Sequence, residues 1–370
     1  RGAPVAVPDG PHSFDRIAFS AAHVVADPFS AVEPGVGPAI DWDATLAFRR
    51  HLLDLGLGVA EAMDTAQRGM GLDWPGAREL IRQSLAAAAP AERDRIFSGV
   101  GTDHLAPEAA RSRDDVVAAY LEQLEAVQGM GGRVILMASR ALALVARGPE
   151  DYAEVYSRVL AAADAPVILH WLGDMFDPAL AGYWGGDAFE ETMETALGVI
   201  ADNAARVDGI KISLLDAGKE IAMRGRLPAG VKMYTGDDFN YPALIKGDDH
   251  GFSHALLGIF DPIAPSASAA LSALARGDYA AYERIFAPTV PLSRHIFRAP
   301  TRHYKTGVVF LAWLNGWQEH FVMVGGAQAM RPLPYFTELF RLADGAGLLR
   351  DPEMAVARMR RLLALYGAAA

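Results

Sequence analysis

The chain has 370 residues, 51% of them hydrophobic, a formal charge of -11 and no cysteine. That is ample for a sizeable core, and the acidic balance argues against a nucleic-acid or anionic-membrane partner, since both select basic faces. Without cysteine, a disulfide, a thiolate metal site and a cysteine nucleophile are all excluded. Apolar runs such as 308–314 are too short to span a membrane. The first eight residues, Arg-Gly-Ala-Pro-Val-Ala-Val-Pro, carry neither a methionine nor an apolar signal core and read as a trimmed terminus. The expectation is a soluble, cytoplasmic globular protein.

Residues 16–25 form a first strand signal, ended by Asp27-Pro28. Asp41 then caps a helix expected over 42–55, which Gly56 stops. A weaker strand signal over 57–63 leads into Asp64 and Thr65, and a helix over 75–89 has Pro75 in its first turn, where a missing N–H costs little. Strands at 95–100, 133–138 and 166–171 alternate with helices at 113–128, 149–163 and 189–203. The sixth strand is 207–213, the seventh 232–234 and the eighth 251–256, with a helix between the last two. Eight strand signals, most followed by a helical one, predict an α/β protein, a (β/α)8 TIM barrel, rather than an open sheet. No Gly-x-Gly-x-x-Gly follows a strand and no P-loop is present, so a nucleotide cradle has no support. From about 268 the chain is nearly all helix-forming, with breaks near 288–291, 299–300 and 331–332. The expected organisation is a barrel over 1–267 carrying the site and a helical C-terminal extension over 268–370, part of which serves an oligomer interface.

The stretch Val207-Asp208-Gly209-Ile210-Lys211-Ile212-Ser213 reads as an apolar strand that brings one lysine to its end. Barrels place their chemistry at that end of the strands. Burial strips an ammonium of solvation, lowers the lysine pKa and frees the amine to attack a carbonyl. On local sequence alone, a surface lysine just past a strand is the other reading. His170, after four apolar residues, stands at the end of strand five, either as a general acid and base or as a hydrogen-bonded structural histidine. Asp64, Thr65, Asp237 and Asp238 supply oxygens around the same mouth, although Asp237 or Asp238 also fits as a cap ahead of Phe239-Asn240. Arg68 and Arg140 follow strands and are candidate receivers of an anionic group. Asp248, Asp249, His250 and His254, with the separate His23, Asp27, Asp103 and His104, raise a divalent-metal alternative, although Gly251 interrupts the 250/254 pair. Trp313, Trp317 and Phe321 recur at helical spacing and read as core or interface.

The order of signals over roughly 16–340 resembles the dihydrodipicolinate synthase and N-acetylneuraminate lyase superfamily of class I Schiff-base aldolases, and more narrowly a branch described only as a domain of unknown function. Gly209-Ile210-Lys211 matches the Gly-(Ile/Val)-Lys of its Schiff-base strand, and Gly236-Asp237-Asp238 its Gly-x-Asp/Glu element. Gly251-Phe252-Ser253 with the distal Pro265 matches its Gly-Val-Ile-Ser…Pro element. The resemblance implies catalysis by Lys211 through a covalent imine with no cofactor, and substrate contacts from Gly236, Asp237, Asp238 and Ser253; Asp64, Thr65 and His254 are expected to contact the substrate from their place at the same mouth. It also implies a homo-oligomer, dimer or tetramer, acting on a small carbonyl compound.

Three departures redirect the substrate. The family's Gly-Thr-Thr-Gly-Glu, which grips a pyruvoyl carboxylate, is replaced by residues 63–69, with one hydroxyl at Thr65 and an added acid at Asp64. The proton-relaying tyrosine is replaced by His170, and the arginine that follows it in the synthases is missing from 172–177, ahead of a longer loop over 178–187. A keto-sugar or sugar-derived carbonyl compound is therefore the expected substrate, with His170 moving the proton. The alternatives are a metal-dependent lyase or isomerase of sugar derivatives and a non-catalytic sugar-binding barrel.

Overall fold

The computed structural model describes residues 2–5 and 12–368. Residues 1 and 6–8, part of the stretch read as a trimmed start, lie outside the described residues. Eight strands close into a barrel in sequence order: β1 (Ala18–Ala21), β2 (Gly58–Glu61), β3 (Ile96–Val100), β4 (Arg133–Leu136), β5 (Val167–Leu172), β6 (Val207–Ser213), β7 (Lys232–Thr235) and β8 (His254–Leu257). From β3 to β8 each strand pairs in parallel with the next. Nearly every strand residue is buried, which is why the strands read as apolar runs rather than as alternating patterns. The (β/α)8 barrel and the helical C-terminal region predicted from sequence are what the structure shows.

Helix starts follow their caps. The Asp41 side chain accepts from the Ala44 amide to open Trp42–Asp54, Asp73 accepts from Gly76 to open Trp74–Ala87, and Ser112 with Asp115 forms a capping box on Arg113–Gly129. Two helices lacked a clear signal in the sequence, Arg140–Val145 and Ala217–Arg224. The second contains Gly218 in its first turn and starts only because the Asp216 side chain takes the Lys219 amide. Two strand bounds are corrected. β1 is shorter than 16–25, and β8 begins at His254 because residues 248–251 close a turn in which Asp248 and Gly251 bond each other and Gly251 takes φ +116°.

By packing, the chain forms two compact units, one of Arg1–Val59, Asp64–Leu72 and Leu257–Ala370, the other of Ala60–Met63 and Asp73–Leu256. The expected boundary at 267/268 falls inside the helix Ala264–Ala275. In the first unit, the helix Tyr304–Leu314 is buried along its whole length. It ends at Leu314, so the expected 313/317/321 stripe is divided. Trp313 stacks on Phe321 at 5.5 Å, while Trp317 turns to His51 at 4.3 Å and Phe48 at 5.3 Å. Among the described residues no helix is long and apolar enough to cross a membrane.

Candidate active site

In the second unit the direction of each β7 side chain is set by Thr235. Its hydroxyl donates to Glu220 on the outer helix Ala217–Arg224 at 2.9 Å, so Thr235 points outward. Tyr234 and Gly236, one residue to either side, therefore face inward. Lys211 is the register partner of Tyr234 on one side and of His170 on the other. It faces inward with them and is only 7% exposed, which dismisses the surface-lysine reading. Lys211 is also not the last residue of its strand, since β6 continues through Ile212 to Ser213.

The Lys211 stem runs against Gly236. A Cβ at position 236 would stand 2.8 Å from Lys211 Cε, 2.6 Å from the Ile212 carbonyl and 2.3 Å from Ser213 Oγ. Any side chain there would press on Ser213 and the Ile212 backbone as well as on the lysine, so this glycine supplies room rather than backbone freedom. His170 is buried, and its Nε2 lies 3.2 Å from Ser213 Oγ. Burial, and then the Lys211 charge, push its pKa well below the ordinary histidine value, so the imidazole is neutral at physiological pH. Ser213, two residues beyond Lys211 on the same strand face, was not among the residues expected at the site. The period-2 rule applied to the lysine strand would have found it. The other lysines nearby are differently placed: Lys232 Nζ pairs with Asp208 at 2.7 Å, and Lys219 lies over the Phe189 ring at 5.5 Å.

The remaining candidates of this unit have other partners. Ser253, just ahead of β8, is buried and donates to Glu220 Oε1 at 2.7 Å, while Arg224 donates to Ser253 Oγ at 3.3 Å. Burial outweighs these bonds and pushes the Glu220 pKa up to about 8, with the neighbouring Asp237 charge acting in the same direction. Asp237 accepts from the Phe239 and Asn240 amides and from Asn240 Nδ2 at 2.7–3.0 Å, which folds the turn ahead of the helix Tyr241–Lys246. That helix starts at Asn240 without a side-chain cap, so the helix-capping reading is corrected to a turn. Its own amide donates to Thr235 Oγ1 at 3.1 Å, which extends a chain from Glu220 to the turn beside Gly236. Asp238 is buried. His254 lies half-buried between the Tyr234 and Phe252 rings, at 5.5 and 5.3 Å. Arg140 is exposed and pairs with Asp177 at 2.5 Å. The 178–187 loop is anchored by buried Tyr183 and Trp184, and the Tyr183 hydroxyl accepts from the Ser139 amide at 3.0 Å.

Asp64 and Thr65 belong to the first unit. Asp64 opens a short 3-10 turn, Asp64–Ala66, and Thr65 is buried with its hydroxyl 2.8 Å from the Tyr304 hydroxyl. No sequence signal linked Tyr304 to Thr65. Arg68 is buried in the same unit. The histidines and acids read as possible metal ligands have separate partners. His23 bonds Asp261, His104 lies beside Glu122 and Gln123, Asp27 accepts from the Phe29 amide, and the His250 amide donates to Asp248. Among the described residues no three such side chains come together as a metal site.

A family profile described as "Protein of unknown function (DUF993)" matches residues 2–368. The chain belongs to that family. No curated protein matches the DUF993 chain. Among the solved structures similar to it are dihydrodipicolinate synthases. That from Thermotoga maritima is 13% identical with a TM-score of 0.68, covering 91% of this chain and 100% of its own. The Aquifex aeolicus enzyme is 12% identical at TM-score 0.67, with the same two coverages, 91% and 100%. The Acinetobacter baumannii enzyme, solved with pyruvate, is 16% identical at TM-score 0.67, covering 90% of this chain and 99% of its own. At such identities the shared property is the fold.

Proposed function

We propose that this DUF993 chain is a class I Schiff-base aldolase or lyase that acts on a keto-sugar or sugar-derived carbonyl compound through an imine on Lys211. The observation that carries this reading is the inward, buried Lys211 beside a neutral His170 and Ser213, with Gly236 leaving room for its stem. The likeness to the dihydrodipicolinate synthases supports it at the level of fold. In the first step the Lys211 amine adds to the substrate carbonyl, and loss of water gives a protonated imine. His170 then takes the proton of the hydroxyl beside the scissile bond. The carbon–carbon bonding pair passes into the imine, releasing a carbonyl product and leaving an enamine. Return of the proton from His170 to the enamine carbon and hydrolysis of the imine restore the lysine. For a carbon–oxygen bond the order differs: His170 takes the proton from the carbon beside the imine to give an enamine. The enamine electrons then expel the hydroxyl one carbon further on as His170 returns the proton to it, and water leaves. Asp238 orients substrate hydroxyls. No metal or organic cofactor enters these steps. Under the same reading the protein works in the cytoplasm as a dimer or tetramer.

Intact mass after incubation with keto-sugars, 2-oxo acids and borohydride tests this. A reduced adduct mapping to Lys211 is expected with a keto-sugar, and Lys211→Ala should lose both the adduct and roughly a thousandfold or more of the turnover. An adduct formed only with 2-oxo acids would reassign the substrate class. Unchanged turnover in folded Lys211→Ala would sink the imine reading.

A further inference from the structure

The first unit holds a cleft of about 90 Å³ whose lining combines a buried carboxylate, aromatic rings and an arginine. We propose that it binds a small aromatic carboxylate whose ring also carries a hydroxyl or amino donor. Three features of the lining point to that chemistry. Asp261, 3% exposed, lines the cleft and takes two bonds on one oxygen: the His23 amide and His23 Nδ1 both lie 2.8 Å from Oδ2. Its other oxygen, Oδ1, is buried with no partner. A desolvated carboxylate oxygen without a donor is unfavourable, and a ligand hydroxyl or amine supplies the missing bond.

The aromatic wall is the second feature. Trp317 has His51 against its ring at 4.3 Å and Phe48 edge-on at 5.3 Å, and Leu311 lines the same space. This surface suits a flat ring. The third feature is Arg350, whose guanidinium lies 5.0 Å from the Trp317 ring centre. Its backbone amide donates to Asn315 Oδ1, and among the described residues no carboxylate pairs with the guanidinium. His51 adds no competing charge, because burial and the Arg350 charge push its pKa down to about 4. An aliphatic chain would leave Asp261 and Arg350 unmatched, a simple cation would face Arg350, and an inorganic anion would face Asp261. A ring bearing one donor and one anionic group satisfies all three features.

Titration calorimetry and tryptophan emission on the full chain test this with 4-hydroxybenzoate, 4-aminobenzoate, benzoate and phenol. The two substituted benzoates should bind about tenfold more tightly than benzoate or phenol, each of which lacks one of the polar groups. Arg350→Gln, at an exposed position, should bring 4-hydroxybenzoate down to the affinity of phenol and leave phenol unchanged. Trp317→Leu should weaken all four probes. Circular dichroism establishes that each variant is folded. Silence with every probe at millimolar concentration, or affinities unmoved by both substitutions, overturns the proposal. The Lys211 reading is independent of it: Lys211→Ala is expected to keep this binding while losing the borohydride adduct.

Discussion

Glu220 takes one donor on each carboxyl oxygen, Ser253 on Oε1 and Thr235 on Oε2, whereas Asp261 takes both of its donors, the two nitrogens of His23, on Oδ2 alone. Both acids are almost wholly buried. The Glu220 cluster is therefore complete within the protein, tying the helix Ala217–Arg224 to β7 and to the turn before β8. The Asp261 cluster has one oxygen left over, and that oxygen belongs to a residue lining a cleft. Burial alone does not separate a structural acid from a binding one. The count of hydrogen bonds on each oxygen does.

The largest effect that tests this contrast is expected at Glu220. Glu220→Ala removes a buried side chain and strands two hydroxyls, so it should cost about 3 kcal/mol of folding stability in urea titrations near pH 6. A cost below about 1 kcal/mol would mean that the cluster is not the tie described. The pH dependence sharpens the point. The ordinary value for a glutamate is 4.5, and burial holds Glu220 at about 8 in the folded chain. Between those values the unfolded chain has released a proton that the folded chain keeps, so this group's contribution to stability falls as pH rises through the window. It falls by up to about 1.4 kcal/mol per pH unit and is flat below and above. Glu220→Gln carries no titrating proton. The stability of the native chain relative to this variant should therefore be greatest near pH 4.5 and decline towards pH 8. A difference that stays constant across that range would return Glu220 to an ordinary carboxylate.

The same contrast explains what was legible in the sequence. β6 was readable to the residue because a continuous apolar run is the signature of a strand buried on both faces, and its single lysine stood out against that run. Asp237 was readable as an acid satisfied by nearby amides because the geometry is local: its oxygens reach amides two and three residues onward, although they close a turn and do not cap the helix that begins at Tyr241. Glu220 was not readable. Ala217-Gly218-Lys219-Glu220 resembles a polar loop, and only packing beneath β7 and Ser253 buries its acid. Ser253 was expected to contact substrate from its motif, and the structure engages its hydroxyl with that unforeseen acid. Thr65 and Tyr304, or Asp261 and Trp317, come together across long stretches of chain, and no periodicity records such meetings.

The smallest change in stability, and the finest test of the comparison, comes from Asp261→Asn. With both His23 donors on one oxygen, the amide must keep its carbonyl towards His23. Its NH2 then stands where Oδ1 was. The internal bonds survive, so the folding cost should stay below about 1 kcal/mol, unlike the loss expected for Glu220→Ala. Under the proposed binding, the ligand's donor now meets a donor in place of an acceptor. A phenolic hydroxyl can accept as well as donate, whereas an aromatic amine is a poor acceptor. In the variant 4-aminobenzoate should therefore lose about tenfold in affinity and 4-hydroxybenzoate distinctly less, both read by calorimetry. Equal losses would show that Asp261 acts through its charge. No loss for either would place its spare oxygen outside the binding surface and leave Arg350 and Trp317 as the only contacts to defend.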